Sequence, residues 1–154
     1  MPSRRTLLAG GALLAVAADS IVTDPGTLTG SIGVILSYPT LTGLMEKVGV
    51  EMHVYKSGEL KDMGSFAREP TEVEAEVLGD MVQDVFDQFV TAVDAGRDLD
   101  RDQVLALADG RILSGRQAVE AGLADHLGDL RAAADMAAAM AGLGPDPELV
   151  RKHR

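Results

Sequence analysis

The chain has 154 residues, of which 46% are hydrophobic and 3% are aromatic, and it contains no Cys and no Trp. This length suits one domain with an aliphatic core, and the absence of Cys excludes disulfides, thiolate chemistry and Cys-based zinc sites. The net charge of −10 argues against nucleic acid and anionic membrane surfaces as partners. The three histidines are scattered without metal-ligand spacing, so no metal or other cofactor is expected; they are His53, His126 and His153.

The first 18 residues allow two interpretations. Arg4 and Arg5 precede an apolar run that ends at Ala18, a pattern typical of a twin-arginine export signal with a small-residue cleavage site. The alternative is a structural helix, which we prefer because cleavage after Ala18 would leave a domain that starts in mid-fold. The run is too short and too interrupted by glycine to predict a transmembrane span.

Short strands and turns are predicted for the next part of the chain. Ser31 lies between Gly30 and Gly33, where the backbone can pack closely against another segment. The predicted elements are a strand at 20–23, a turn at 24–26, a buried strand at 34–36, a helix at 41–48 that ends near Gly49, and a strand with alternating apolar residues at 48–54.

A polar loop follows at residues 55–69, between the last of these strands and a long amphipathic helix. Loops held by rigid elements often carry the chemistry of a protein, and burial can turn a lysine into a neutral proton acceptor. A solvated charge is the ordinary role of a single lysine in an acidic protein. The pattern Lys-Ser-Gly-x-x-Lys-Asp-x-Gly-Ser, which starts at Lys56, favours a role for Lys61 instead.

Four helices and one strand are predicted after the loop. Thr71 and Glu74 form a capping-box start, and apolar residues then recur every fourth residue until Gly96. This broad apolar face is assigned mainly to the core, with a subunit interface as the alternative. The remaining elements are a helix at 101–108, a strand at 111–113, and helices at 114–121 and 130–141.

Several separated motifs, in this order, resemble the signal peptide peptidase A family of serine peptidases with a Ser/Lys dyad. They are the segment Pro25 to Ile35, the lysine pattern that starts at Lys56, Ala108 to Arg111, and Gly122 to Gly128. The resemblance implies an α/β domain with the Clp protease/crotonase-like spiral of β-α units, apparently without its N-terminal half. The expected organisation is an unassigned segment at 1–16, a domain at 17–141 and a flexible tail at 142–154.

The resemblance assigns a role to three positions. It implies that Lys61 is the general base and that Ser31 is the hydroxyl that positions this lysine, although Ser31 could instead bond its own backbone in a turn. The family's nucleophilic serine falls at Ala9, which has no nucleophile. A lysine that acts as a base must be neutral, so burial must lower its pKa from about 10.4 toward about 7 to 8. Arg68 and Asp62 are expected to be structural partners around the loop, with the Asp62 carboxylate turned toward backbone donors.

The function that the resemblance implies is peptidase activity on cleaved signal peptides and other short apolar peptides. By family, the protein would associate with the extracytoplasmic face of a membrane and form a homo-oligomer whose sites are shared between neighbouring protomers. Ala9 favours two alternatives, a non-catalytic pseudo-peptidase subunit or a gene fragment. A crotonase-like acyl-CoA enzyme is a third alternative, and the lysine loop argues against it.

Overall fold

A computed structural model describes residues 16–144 and Pro147. Within these residues the strands are β1 (Val22–Thr23), β2 (Leu28–Gly30), β3 (Ile112–Ser114) and β4 (His126–Leu127). The helices are α1 (Thr42–Val48), α2 (Glu72–Gly96), α3 (Arg101–Leu107), α4 (Gly115–Glu120) and α5 (Leu130–Met140), with a short 3-10 helix at Glu59–Asp62. This mixture of helices and strands is compatible with the predicted α/β class.

The chain divides into two compact units. The first unit contains the described residues up to Gly33 and those from Phe89 onward, and the second unit is Val34–Gln88. Both two-stranded sheets lie in the first unit. Strand β1 pairs in parallel with β4, with Val22 opposite His126, and β2 pairs antiparallel with β3, with Thr29 opposite Leu113.

The first unit has an aliphatic core. Its buried apolar residues are Ile32, Val90, Val93, Val104, Ala108, Leu113, Ala118, Ala124 and Ala138. Local signals fix the helices around this core, because α3 and α4 each begin with a reciprocal capping box, Asp100 with Gln103 and Ser114 with Gln117. The predicted helices at 101–108, 114–121 and 130–141 are therefore confirmed to within one residue at each end.

The second unit holds α1, the loop at 55–69 and the first part of α2. Helix α1 ends at Gly49, whose φ of 69° is left-handed, as its role as a C-cap predicts. The start of α2 is also confirmed, because the Thr71 hydroxyl accepts from the Glu74 amide while the Glu74 carboxylate accepts from the Thr71 amide. Among the described residues of this unit, the buried side chain is that of Glu74, and no apolar side chain is buried.

Two predicted strands of the second unit do not form. Residues 34–36 and 48–54 contain no strand, because Val48 ends α1 and residues 50–54 form no regular element, and Ile35 is 87% exposed. An alternating apolar pattern forms a strand only where a neighbouring strand supplies its hydrogen bonds, and the described part of the chain supplies none to these segments.

The assignment of the α2 apolar face to the core is correct for only part of the helix. Val90 and Val93 are buried, whereas Val77, Met81 and Val85 remain substantially exposed. The exposed part lies in the second unit, which has no apolar core to cover it. Within residues 16–144, no helix has the length and apolar character required to cross a bilayer.

Candidate functional site

Lys61 lies on the 3-10 helix Glu59–Asp62, where two local backbone hydrogen bonds fix the chain around it. The Lys61 amide donates to the Gly58 carbonyl at 3.1 Å, and the Met63 amide donates to the Leu60 carbonyl at 3.2 Å. Gly64 then turns the chain with a φ of 79°, a conformation that favours glycine. Lys61 is exposed, so the described residues do not supply the burial that the sequence analysis expects around this lysine. No described residue forms a hydrogen bond or an ion pair with its amine.

The carboxylate next to Lys61 is held by two other cations. Asp62 Oδ1 lies 2.7 Å from Lys56 Nζ and 2.8 Å from Arg68 Nη2, and Asp62 Oδ2 accepts from Arg68 Nε at 3.0 Å. The bidentate contact with the planar guanidinium is the strong form of this interaction. The hydrogen bond from Arg68, followed by that from Lys56, holds the pKa of the Asp62 carboxyl well below its ordinary value.

Glu74 anchors the other side of Arg68. Its carboxylate is buried and accepts from Arg68 Nη1 at 2.7 Å, from Arg68 Nη2 and from the Thr71 amide at 2.9 Å. The hydrogen bonds from Arg68 and then from the Thr71 backbone lower the pKa of Glu74 to about 2. The contacts with Glu74 and then Asp62 raise the pKa of Arg68. One carboxylate thus caps α2 and also fixes the lysine loop to the start of that helix.

These contacts confirm that Asp62 and Arg68 are structural partners, and they correct one prediction. The Asp62 carboxylate contacts the side chains of Lys56 and Arg68 and does not turn toward backbone donors. The sequence reasoning missed the contact of Lys56 with Asp62 and also the contact of Glu74 with Arg68. The only sequence signal for these contacts was the group of charged residues from Lys56 to Glu74. Which of these residues pair depends on how the loop folds, and a periodic pattern does not show this.

Ser31 occupies a constrained position in the first unit. Its φ of 50° makes it the only non-glycine residue with positive φ in the described part of the chain, and such backbone conformations often mark functional positions. The Ser31 amide donates to the Arg111 carbonyl at 2.8 Å, and the Gly110 amide donates to the Ile32 carbonyl at 3.0 Å. The motif at Ala108 to Arg111 therefore holds the end of β2 and presents Ser31 at the surface.

The roles of the three predicted site residues stay predictions. Ser31 lies in the first unit and Lys61 in the second, and Ala9 lies outside the described residues. The alternative for Ser31, a hydroxyl bonded to its own backbone, has no support, since no hydrogen bond of this hydroxyl is found among the described residues. Among the same residues, no three or more His, Cys, Asp or Glu side chains are grouped so that they could hold a metal ion.

The motif at Gly122 to Gly128 has a structural role. Asp125 Oδ2 accepts from the Ile21 amide at 2.7 Å and from Arg97 Nη1 at 2.8 Å. The Ile21 amide is the main cause that lowers the pKa of Asp125, and the Arg97 side chain adds to it. Arg97, whose side chain is 6% exposed, also donates to the Ala18 carbonyl. Sequence reasoning missed this pair because 28 residues separate Arg97 from Asp125.

Comparisons with known proteins agree with the motifs. The model of peptidase family S49 matches residues 4–144. The chain is 47% identical to a putative protease of Synechocystis sp. over 137 residues, which cover 89% of this chain and 50% of that protein. It is 46% identical to a putative signal peptide peptidase SppA of Enterococcus faecium over 125 residues, 81% of this chain and 36% of the relative.

A plant protein shows the same similarity at lower identity. The chloroplastic serine protease SPPA of Arabidopsis thaliana is 34% identical over 122 residues, which cover 79% of this chain and 18% of that protein. The chain therefore spans half or less of the length of these relatives. Because the family model matches most of the chain, the protein belongs to peptidase family S49, the signal peptide peptidase A family.

Proposed function

We propose that the chain is the C-terminal part of the catalytic domain of a serine peptidase, with Lys61 as general base. The observation that carries this proposal is the family match across residues 4–144, which includes the lysine loop. The local geometry supports it, because Lys61 lies on a fixed turn and its neighbouring carboxylate contacts other cations. Its amine has no partner among the described residues, so it is available to a reacting serine.

In this mechanism the neutral lysine amine takes the proton of the serine hydroxyl as the hydroxyl oxygen attacks the peptide carbonyl. The same proton is then delivered to the leaving amine. A free carboxylate close to the amine would favour the charged ammonium form and oppose this step. Asp62 is the nearest carboxylate in the sequence, and its charge is shared with Lys56 and Arg68. Ser31 would orient the amine through its hydroxyl.

The proposed fold is the Clp protease/crotonase-like spiral of β-α units, with a domain at 17–141 and a tail at 142–154. Family membership and the mixed helix and strand content support it. The parallel pair of β1 and β4, which are separated by most of the chain, is also compatible with such a spiral.

The proposed substrates are cleaved signal peptides and other short apolar peptides at the extracytoplasmic face of a membrane. The printed name of the Enterococcus relative, signal peptide peptidase, supports the first part of this proposal. The proposed assembly is a homo-oligomer in which neighbouring protomers share sites. The exposed apolar residues of the second unit support an assembly, because large apolar patches on a protein surface usually mark interaction sites.

A second candidate is a non-catalytic member of the family that assembles but does not cut peptides. Ala9 at the position of the nucleophile favours this candidate, since alanine cannot attack a carbonyl. Loss of the nucleophile in a triad enzyme lowers the rate by several orders of magnitude. We therefore expect the chain alone not to hydrolyse peptides.

The test joins this chain to the part of the Synechocystis relative that it does not match and compares four variants with a fluorogenic peptide. We expect no turnover by the unchanged sequence, turnover by Ala9→Ser, and a loss of at least about a hundredfold when Lys61→Met is added to Ala9→Ser. Lys47→Met in the same background is the matched control, because Lys47 is an exposed lysine on α1, and it should retain the activity. Turnover that survives Lys61→Met would contradict the assignment of the base.

A further inference from the structure

Lys56 has contacts that distinguish it from a solvated surface lysine. Its Nζ donates to the Glu59 carbonyl at 2.8 Å and to Asp62 Oδ1 at 2.7 Å. Glu59 and Asp62 are the first and last residues of the 3-10 helix that carries Lys61. One ammonium therefore joins the two ends of this turn, and its side chain is only 33% exposed.

The same contact offsets the charge of the residue that directly follows Lys61 in the sequence. Asp62 directly follows Lys61, and its carboxylate is shared between Lys56 and Arg68. Arg68 is in turn shared with Glu74, so each carboxylate of the cluster has a cationic partner. Removal of Lys56 would leave Arg68 as the one cationic partner of Asp62 among the described residues. The negative charge of Asp62 would then be less neutralised and would act more strongly on the Lys61 amine.

We propose that Lys56 is a positioning residue for Lys61, which fixes the turn that carries Lys61 and offsets the charge of the adjacent Asp62. The functional meaning of this role rests on the proposal that Lys61 is the general base. The role itself concerns two measurable properties of the chain, the order of the turn and the reactivity of the Lys61 amine, and neither requires peptidase activity.

The first measurement is amide hydrogen exchange of the full chain, which reports local opening of the turn. In Lys56→Met we expect exchange of the Lys61 and Met63 amides to accelerate about tenfold or more, because a hydrogen bond to a charged group contributes that much to local stability. Lys56→Arg keeps the charge and the donors and should restore slow exchange. Lys47→Met is the control that should leave this turn unchanged.

The second measurement is the rate at which a small amine-acylating reagent modifies Lys61, followed by mass spectrometry as the pH is raised. Lys56→Met should slow the modification of Lys61 at pH 8 about twofold or more, because Asp62 then favours the unreactive ammonium. Asp62→Asn should instead accelerate it, although both variants remove the same ion pair. Simple loosening of the loop would move the two variants in the same direction.

The proposal is overturned if Lys56→Met leaves both the exchange and the Lys61 rate unchanged, or if Lys56→Met and Asp62→Asn shift the Lys61 rate in the same direction. Peptide turnover that survives Lys61→Met would remove the base assignment and leave these two results intact. The failure of one proposal can therefore be distinguished from the failure of the other.

Discussion

Two helical glycines of this protein occupy opposite environments, although a sequence pattern treats them alike. Gly115 begins α4, and a Cβ added there would overlap the Asp24 carbonyl and crowd the Thr23 hydroxyl oxygen. Gly79 lies inside α2, and a Cβ added there would meet no atom within 4 Å. Gly115 is therefore required for close packing in the first unit. Gly79 has no such role, and it destabilises the helix because glycine loses more backbone freedom on folding than alanine does.

We predict that Gly115→Ala lowers the free energy of unfolding by about 2 kcal/mol, because the backbone of residues 23–24 must move to admit the methyl group. Gly79→Ala should raise it by roughly 0.5 to 1 kcal/mol, since alanine is the better helix former at a site with free space. Urea denaturation of both variants beside the unchanged chain measures the two effects. Equal effects of the two substitutions would contradict the packing role of Gly115.

Residue roles that depend on neighbours in sequence were predictable, and those that depend on the path of the loop were not. The capping pair of Thr71 and Glu74 follows from a spacing of three residues. The contact of Glu74 with Arg68 joins residues six positions apart where the loop meets α2, and no periodic pattern reports such a contact. The partners of Lys56 were hidden for the same reason, since they lie across the 3-10 helix.

At the scale of elements, the carboxylate of Glu74 couples the start of α2 to the lysine loop and makes this coupling sensitive to pH. Its pKa of about 2 in the folded chain is below the ordinary value of 4.5. The stabilisation is therefore fully present above about pH 4.5 and is lost as the pH falls toward 2. The pKa of Asp62 is also lowered, so protonation of this second carboxylate acts in the same direction.

We predict that the unchanged chain loses stability in this acidic range and that Glu74→Gln loses less, because the substituted side chain no longer has to be protonated. Glu76→Gln, an exposed neighbour on the same helix, is the control that should follow the unchanged chain. Urea denaturation at a series of pH values from neutral to acidic measures the slopes. Parallel slopes for Glu74→Gln and the unchanged chain would rule out this linkage.

Helices were predicted well because their signals are local, and strands were predicted poorly where their partners are distant. Helix α2 begins and ends where its capping box and Gly96 predict. The apolar segments predicted as strands at 34–36 and 48–54 have the composition of strands, but they pair with no neighbouring strand in the described part of the chain. A strand is a property of a pair of segments, and a single sequence shows only one of them.

At the scale of the whole molecule, the two units differ in how they bury apolar side chains. The first unit has an aliphatic core, whereas the described residues of the second unit bury the Glu74 carboxylate and leave apolar side chains in water. Burial of apolar surface is the main favourable contribution to folding and association. The relatives are at least twice as long as the matched segment, so they contain further chain that could cover such a surface.

We expect the chain by itself to associate with other copies through the exposed apolar face of α2, which contains Val77, Met81 and Val85 at 38%, 45% and 44% exposure. Sedimentation velocity over a wide concentration range should show a sedimentation coefficient that rises with concentration. Val77→Glu should weaken the association, because association would then bury a charge.

Gln83→Glu is the matched control, since it adds the same charge to the same helix at an exposed residue beside Asp87. If both variants weaken association equally, net repulsion between acidic chains explains the effect and the apolar face is not the interface. If the unchanged chain sediments as a folded monomer at every concentration, the exposed face needs no second copy to remain soluble. An interface on α2 is supported only if Val77→Glu weakens association more than Gln83→Glu does. Both substitutions add one negative charge, but only Val77→Glu removes an apolar side chain from the surface.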